Sequence, residues 1–338
     1  MGRNGAGECD SSPLFRKDRD RPVGGRMREN VKIDVIIPVY RPGKEFLKLL
    51  DRLERQTFKV QNIILMNTEE RYFTQLVSGI NFNEKYPNVK VYHLSRREFD
   101  HGGTRHEGVE HSDAEVFILM TQDAVPVDRF LIGKLLEGLS GDVAVAYARQ
   151  LPGKNSSELE KISRQFNYPA DSCVKRFTDL ETLGIKTYFC SNVCAAYRRD
   201  IYDKLGGFIR HTIFNEDMIY AAKAVKEGYS IAYQAGARVV HSHDYKNLEQ
   251  LRRNFDLGVS QAQHPEVFRG VLSESEGKKL VQAAYRQLKE KRKLYKFPGF
   301  VVQCCFKYMG YLLGKNYKSL PGKWVLAITM NREYWGPA

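Results

Sequence analysis

Residues 33–40 read IDVIIPVY, a run dominated by β-branched apolar side chains. A continuous apolar run of this length is typical of a strand that is buried on both faces, as in a parallel sheet. Residues 45–56 follow it and have the apolar spacing of an amphipathic helix, at Phe46, Leu49, Leu50 and Leu53. The two patterns together predict the start of a series of βα units.

The same alternation continues through the first half of the chain. Strands are predicted over residues 62–66, 91–94 and 116–120, with a helix over residues 107–111. This order favours an α/β fold with a Rossmann-like, mostly parallel sheet flanked by helices. Ligands of such sheets bind beyond the carboxyl ends of the strands. The polar residues at those ends are Tyr40, Arg41, Asn67, Thr68, Glu69, Ser95, Arg96, Thr121, Gln122 and Asp123.

The second half of the chain is less regular. Helices are predicted over residues 130–139 and 199–205, from residue 216 onward, and over most of 246–296. Strands are predicted over residues 144–148, 188–197, 231–233 and 237–240. Between them, residues 150–187 form a long polar connection spotted with aromatic residues, which we expect to shape a binding pocket.

Composition excludes several classes of protein. An apolar fraction of 42% and a charged fraction of 28% are typical of a soluble globular protein. No apolar run nears the roughly 20 residues of a membrane-spanning helix, and the polar, Arg-rich start lacks the apolar segment of a secretory signal. Six cysteines without a CxxC or a paired framework indicate reduced thiols in a cytosolic protein.

The net charge of +13 is concentrated in one segment. Residues 278–323, called the basic tail below, hold twelve Lys or Arg against one acidic residue, Glu290, and so carry +11. Such a segment suits an anionic surface, although a solvated helix face is the alternative. No nucleic-acid partner is expected, because no DNA- or RNA-reading motif accompanies the charge.

Residues 214–245 hold the groups with the most chemistry. Glu216 and Asp217 stand at the start of a predicted helix, where free backbone N–H groups stabilise carboxylates. His241 and His243 follow a strand two residues apart, so their imidazoles can face one side and bind a metal. Asp123, after the fourth strand, offers a hard oxygen ligand to Mg²⁺ or Mn²⁺. A helix cap, two surface histidines and a turn-capping Asp are the alternatives.

Residues 99–105, FDHGGTR, form a Gly-rich loop that enters a helix. Its glycines let the backbone approach a ligand, the helix N-terminus favours anions, and Arg105 can reach a phosphate. A plain turn is the alternative reading of this segment.

Taken in order, these motifs resemble the family-2 inverting glycosyltransferases of the GT-A fold. The matching segments are residues 34–40, GGTR at 102–105, QDA at 122–124, NED at 215–217 and HSH at 241–243. The longer motifs FDHGGTR, TQDA and HSHDY resemble the bacterial dTDP-rhamnose rhamnosyltransferase branch of that family. The resemblance covers residues 32–260. It implies a GT-A domain over residues 31–260. Composition predicts a disordered leader over residues 1–30, rich in Gly, Arg, Asp and Ser, and a helical, basic, aromatic-rich region over 261–338.

The resemblance implies a role for each matching residue. Asp217 would be the general base, with Glu216 orienting it or contacting the donor. Asp123 would hold the metal in a degenerate DxD motif, with His243 or His241 as a second protein ligand. The residues that would bind the donor are Tyr40, Arg41, Asn67, Glu69, Gly103, Arg105, Gln122 and Asp123. Asn67 departs from the family pattern, since many relatives have Asp there.

The reaction implied by the resemblance is a single displacement with inversion. L-Rhamnose would move from dTDP-β-L-rhamnose to a hydroxyl of a saccharide or lipid-linked saccharide, in polysaccharide biosynthesis and with Mg²⁺ or Mn²⁺ as cofactor. Residues 150–187 would then shape the acceptor pocket. The alternatives are a transferase using a UDP-hexose or UDP-galactofuranose, and a catalytically silent sugar-nucleotide-binding module.

Residues 297–335 suggest where the enzyme acts. Aromatic and aliphatic side chains interleaved with lysines are typical of a helix that lies in a membrane interface. We therefore expect a cytoplasmic protein that is peripheral on the inner face of the plasma membrane. A C-terminal helix packed on the core is the alternative.

Overall fold

The computed structural model describes residues 31–243, 245–271 and 274–336. The leader predicted over residues 1–30 lies outside them. The strands are β1 (Ile33–Tyr40), β2 (Asn62–Thr68), β3 (Val89–Leu94), β4 (Val116–Met120), β5 (Val125–Pro126), β6 (Val143–Leu151), β7 (Cys173–Lys175), β8 (Cys194–Arg198) and β9 (Ser230–Val240).

The α-helices are spread along the whole chain. They are α1 (Lys44–Glu54), α2 (Glu70–Val77), α3 (Phe82–Lys85), α4 (Gly103–Glu110), α5 (Leu131–Gly138), α6 (Glu158–Asn167), α7 (Leu180–Leu183), α8 (Arg199–Lys204), α9 (Glu216–Lys226), α10 (Asn247–Gln263), α11 (Pro265–Phe268), α12 (Glu274–Glu290), α13 (Phe297–Lys315) and α14 (Gly322–Ile328). Short 3₁₀ turns cover Phe177–Asp179, Gly184–Tyr188, Leu294–Lys296, Tyr317–Ser319 and Arg332–Trp335.

The strands form one nine-stranded sheet in the order β3-β2-β1-β4-β8-β6-β9-β5, with β7 paired to β9. Strands β1 to β4, β6 and β9 share one direction, while β8 runs antiparallel between β4 and β6. The prediction of a mostly parallel α/β sheet is therefore confirmed. The antiparallel strands β5, β7 and β8 make the sheet mixed in its second half.

Helices cover both faces of the sheet, which explains why β1 is apolar throughout. Val35 and Ile37 pack on one side with Phe46 of α1, while Ile36 packs on the other with Val109 of α4. Side chains alternate across a strand, so only an unbroken apolar run can fill two cores at once. This double burial fixes where the strand ends meet.

Two strand predictions were wrong in detail. The predicted strands 231–233 and 237–240 are one strand, β9, whose register with β6 jumps from Ala148↔Gln234 to Arg149↔Arg238. The chain around Gly236 bulges there without ending the strand. The predicted strand 188–197 is shorter, since β8 starts at Cys194 after a 3₁₀ turn. The residues between the 3₁₀ turn and β8 include Asn192, which binds the start of α9.

Helix α13 of the C-terminal region packs on α10. Glycines allow the two backbones to touch: an added Cβ would lie 2.1 Å from the Leu251 carbonyl oxygen at Gly310 and 2.1 Å from that of Phe255 at Gly314. Helix α10 runs across the boundary predicted at residue 260, and the division into domains stays a prediction. None of the described helices is both long and apolar enough to cross a membrane.

Replacement of Gly314 by Ala should lower the free energy of unfolding by about 2 kcal/mol, because the new methyl group overlaps backbone that cannot move aside. Gly299→Ala, in the same helix, is the matched control, since an added Cβ there meets nothing within 4 Å. We expect that control to unfold at or slightly above the wild-type urea concentration, because Ala favours helix. Equal urea midpoints for the two variants would contradict the glycine contact.

Candidate active site

Three unusual backbone conformations lie around the carboxyl edge of the sheet. Arg41 directly follows β1, Glu69 directly follows β2, and Asn215 directly precedes α9; their φ angles are 48°, 66° and 65°. Residues other than glycine seldom adopt this left-handed region, and such strain collects at functional sites. These strained turns and the strand ends meet at one edge of the sheet, which marks that edge as the candidate site.

Asn192 holds both carboxylates at the start of α9. Its backbone N–H donates to Asp217 Oδ2 over 3.1 Å, and its side-chain Nδ2 donates to Glu216 Oε1 over 3.0 Å. Asp217 Oδ1 also accepts from the Met218 N–H at 2.8 Å. Glu216 is buried, while Asp217 keeps part of its surface exposed. The sequence showed Asn192 only as part of a strand, so this role was missed.

Arg105 distinguishes the two carboxylates electrostatically. Its Nε lies 3.2 Å from Glu216 Oε1, and both side chains are over nine-tenths buried. Burial alone would raise the pKa of Glu216, but Arg105, His101 and Asn192 hold that pKa below its ordinary value. Burial and the charge of Glu216 raise the pKa of Asp217. A carboxylate with a raised pKa and an open side suits proton abstraction near neutral pH.

Asp123, His241 and His243, called the Asp123 cluster below, converge after β4 and β9. Asp123 Oδ2 lies 3.1 Å from His243 Nε2 and 3.5 Å from His241 Nε2. One ligand atom from each residue falls within 4.8 Å of the other two. The two rings are perpendicular, with centroids 4.7 Å apart. The structure therefore brings together the three residues that the sequence proposed for a metal.

The Asp123 cluster has the chemistry that a divalent cation requires. Burial lowers the pKa of His241 to about 3, so its imidazole is neutral and keeps a lone pair for a metal. Burial opposes ionisation of Asp123, but hydrogen bonding from His243 holds its pKa well below the usual range. One carboxylate and two imidazoles fit a divalent ion with positions left for substrate and water.

Six of the predicted donor-binding residues lie at the ends of β1, β2 and β4: Tyr40, Arg41, Asn67, Glu69, Gln122 and Asp123. Gln122 bridges to the end of β1, since its Oε1 accepts from the Tyr40 N–H and its Nε2 donates to the Tyr40 carbonyl, both over 2.9 Å. Arg41 lies 4.8 Å from the centre of the Tyr72 ring. Glu69 Oε1 accepts from the Arg96 N–H at 3.0 Å. These contacts organise the edge of the sheet, and donor binding by these residues stays a prediction.

Two buried oxygens at the end of β2 lack partners. Asn67 Nδ2 contacts His93 Nδ1 at 2.9 Å, but Asn67 Oδ1 and the neighbouring Thr68 Oγ1 have no hydrogen-bond partner within the described part of the chain. Buried polar atoms are seldom left unpaired in folded proteins. Thr68 lines the cleft described below, whereas Asn67 is completely buried behind it.

The Gly-rich loop is arranged differently from the expectation for a phosphate loop. The N–H groups of Gly102 and Gly103 both donate to Asp100 Oδ1 over 2.8 Å. An added Cβ at Gly103 would lie 2.6 Å from the Arg210 carbonyl oxygen, so the glycines admit a neighbouring segment of the same chain. Arg105 binds Glu216, and its predicted contact with a phosphate, like that of Gly103, stays untested.

A cleft with a volume of about 270 Å³ opens beside these residues. Two cations line it, Arg96 after β3 and Arg253 of α10. The C-terminal segment closes one side, because Glu333 binds Arg96 through Oε1–Nε and Oε2–Nη2 distances of 3.0 and 3.4 Å. The other lining residues are Tyr40, Thr68, Phe99, His101, Phe214, Asp256, Met330 and Asn331. Sequence reasoning pointed to Arg96 as a strand-end residue but missed Arg253 and Glu333.

Comparison with known proteins identifies the family. The model of glycosyl transferase family 2 matches residues 34–206, which run from the second residue of β1 to beyond the end of β8. This chain belongs to glycosyl transferase family 2. The sequence-based prediction of a family-2 glycosyltransferase is therefore confirmed.

Two curated relatives extend over nearly the whole family-2 chain. The O-antigen chain rhamnosyltransferase RfbN of Salmonella typhimurium is 37% identical over 90% of this chain and 96% of its own length. The O-antigen chain rhamnosyltransferase WbaN of Salmonella anatum is 33% identical over 89% of this chain and 95% of its own length. The resemblance to the rhamnosyltransferase branch is thus confirmed as well.

A solved structure shares the fold. The mannosyltransferase PcManGT from Pyrobaculum calidifontis, solved in complex with GDP-Man and Mn²⁺, has a TM-score of 0.51. It is 15% identical, and the match covers 90% of this chain and 85% of that one. At this identity the likeness concerns the fold alone, and it agrees with the GT-A architecture that the motifs implied.

Proposed function

We propose that this family-2 chain is an inverting rhamnosyltransferase that uses dTDP-β-L-rhamnose in the synthesis of a polysaccharide. The observation that carries the proposal is the acid pair of α9, in which Arg105 neutralises Glu216 and leaves Asp217 as a partly exposed carboxylate with a raised pKa. A module that only binds sugar nucleotides has no need for such a base. The choice of rhamnose is supported by the names of both curated relatives.

In the proposed reaction, Asp217 removes the proton from an acceptor hydroxyl as its oxygen attacks the anomeric carbon. The bond between that carbon and the donor diphosphate breaks on the opposite face, and dTDP leaves with the bonding electrons. A single displacement inverts the anomeric centre, so a β-L-rhamnosyl donor gives an α-L-rhamnoside. The acceptor is a saccharide or a lipid-linked saccharide.

We assign the Asp123 cluster to a divalent cation. When bound, such an ion would neutralise charge that develops on the diphosphate. Two imidazoles in the ligand set favour Mn²⁺ over Mg²⁺, since Mg²⁺ prefers oxygen ligands. The Mn²⁺ in the related mannosyltransferase complex supports the same choice. Arg253, which lines the adjacent cleft, would contact the negatively charged donor.

The first test is donor binding by calorimetry, with dTDP-rhamnose, UDP-glucose and UDP-galactose each in Mn²⁺ and in EDTA. We expect the dTDP sugar to bind most tightly and only with the metal. Asp123→Ala should weaken this binding at least tenfold, because it removes one charged ligand of the metal. The control is Asp113→Ala, at an exposed site, which should leave donor binding unchanged. Preference for a UDP sugar would favour a UDP-hexose or UDP-galactofuranose transferase, and no binding at all would rule out the donor site.

Asp217→Asn should lower kcat by a factor on the order of 10²–10⁴, the usual contribution of a general base. Donor affinity should stay near wild type, because Asp217 faces the acceptor. Since the pKa of Asp217 is raised in the fold, wild-type kcat should fall with decreasing pH well above the ordinary aspartate value of about 3.9. Stopped assays of sugar transfer across pH check both points, with Asp200→Asn as an exposed control. Full activity of Asp217→Asn would remove Asp217 from this role.

A second proposal concerns the place of action, which we put at the cytoplasmic face of an anionic membrane. One face of α13 packs on α10, but the opposite face exposes an apolar stripe. The stripe consists of Val301, Val302, Cys305, Tyr308, Met309 and Leu312. The lysines of the basic tail flank this stripe in sequence. An apolar face bordered by cations is typical of peripheral helices on anionic lipid.

The membrane proposal is tested by sedimentation with vesicles of phosphatidylglycerol and phosphatidylcholine. Val302→Glu combined with Met309→Glu should abolish binding, because it places two charges in the apolar stripe while leaving the α10 contact intact. The matched control is Ile80→Glu combined with Phe130→Glu, at exposed apolar residues elsewhere. Equal sedimentation of the two double variants would contradict the proposal.

A further inference from the structure

Gln150 stands between the Asp123 cluster and the acid pair. It lies near the end of β6, and its side chain is 2% exposed. A buried amide requires partners for one oxygen and for two N–H groups. Neither the sequence motifs nor the proposed reaction assigned it any role.

The hydrogen bonds of Gln150 are all made, and each has the correct polarity. Its Oε1 accepts from His241 Nδ1 over 2.9 Å and from Arg164 Nη1. Its Nε2 donates to Tyr168 Oη over 2.6 Å and to Ser191 Oγ over 2.9 Å. Arg164 cannot accept a hydrogen bond, so its contact identifies the oxygen of the amide. The orientation of Gln150 is therefore determined by its surroundings.

The oxygen of Gln150 determines which nitrogen of His241 is free. An acceptor opposite Nδ1 places the proton on Nδ1, so Nε2 presents its lone pair toward Asp123 Oδ2, 3.5 Å away. A histidine that ligates a metal usually donates its other ring N–H to an oxygen in this way, and the partner fixes the ring's orientation. Arg164 is itself anchored by Glu160 over 2.6 Å, which keeps the oxygen in place.

The nitrogen of Gln150 reaches the acid pair through one residue. Ser191, which accepts from Nε2, directly precedes Asn192, and Asn192 binds both Asp217 and Glu216. This segment is irregular, because β8 begins only at Cys194. A side chain that fixes Ser191 thus also fixes the donors that hold Asp217.

We propose that Gln150 is a positioning residue that joins the two halves of the active site. Its oxygen orients His241 toward the ion, and its nitrogen holds the segment that carries Asn192. The inference rests on the proposed function, because it takes the Asp123 cluster as the ion site.

The experiment measures Mn²⁺ binding by electron paramagnetic resonance of the free ion, together with kcat, in three variants of the full chain. Gln150→Leu removes both interactions and should weaken Mn²⁺ binding by about 10- to 100-fold, the usual effect of losing such a partner. Gln150→Glu keeps an oxygen opposite His241 Nδ1 and should restore Mn²⁺ affinity to near wild type. Ser191→Ala breaks only the nitrogen side and should lower kcat about 3- to 10-fold with unchanged Mn²⁺ affinity.

The outcomes separate this inference from the proposed function. Wild-type Mn²⁺ affinity in Gln150→Leu would overturn the role of Gln150 while leaving the ion site in place. Equal losses in Gln150→Leu and Gln150→Glu would overturn it too, since they would indicate packing and not acceptance of the hydrogen bond. If the wild-type protein itself binds no Mn²⁺, the ion site and the role of Gln150 both fail. Circular dichroism of each variant checks that it is folded. If Gln150→Leu does not fold, Gln150→Glu and Ser191→Ala still test the proposal.

Discussion

The ion pair between Arg105 and Glu216 is the interaction on which the active site depends. Two adjacent carboxylates at the start of a helix repel each other, and burial increases that cost. Arg105 supplies a buried cation for one of them, at an Nε–Oε1 distance of 3.2 Å. Removing one partner of such a pair leaves an uncompensated buried charge, which costs about 3–5 kcal/mol. The pair thus joins α4 to α9 and gives the two acids opposite shifts in pKa.

The ion pair also explains the arrangement of the Gly-rich loop. Arg105 reaches Glu216 only because α4 begins close to the segment that precedes α9. The approach is made through Gly102, where an added Cβ would lie 1.9 Å from the Ile209 carbonyl oxygen. Asp100 ties the two segments together, since it accepts from Gly102 and from the Thr212 N–H. The loop therefore supports the acid pair from within the fold, and its glycines are required for contact within the chain.

Much of this architecture was predictable from the sequence. The features that were not predicted depend on contacts between residues far apart in the chain. The run at residues 33–40 predicted β1 because double burial leaves a pattern that is local in sequence. The Asp123 cluster was also predicted, since strand ends and the spacing of His241 and His243 are local signals. Asn192 and Gln150 were not, because their roles come from partners 24 to 91 residues away. The local sequence around a polar residue near a strand end does not predict which distant group that residue will bind.

The C-terminal region also contributes to the site through contacts between residues far apart in the sequence. The match to the family model ends at residue 206, before Asp217, His243 and Arg253. Asp256 accepts hydrogen bonds from Thr329 Oγ1 over 2.6 Å and from the Met330 N–H over 3.0 Å, which holds the last segment against the cleft. Glu333 then neutralises Arg96 at the cleft wall. The same region carries the apolar stripe of α13, and α13 packs on α10, which carries Arg253 and Asp256. Because the glycine contacts bring the backbones of α10 and α13 together, the surface proposed for the membrane and the wall of the cleft belong to one packed unit.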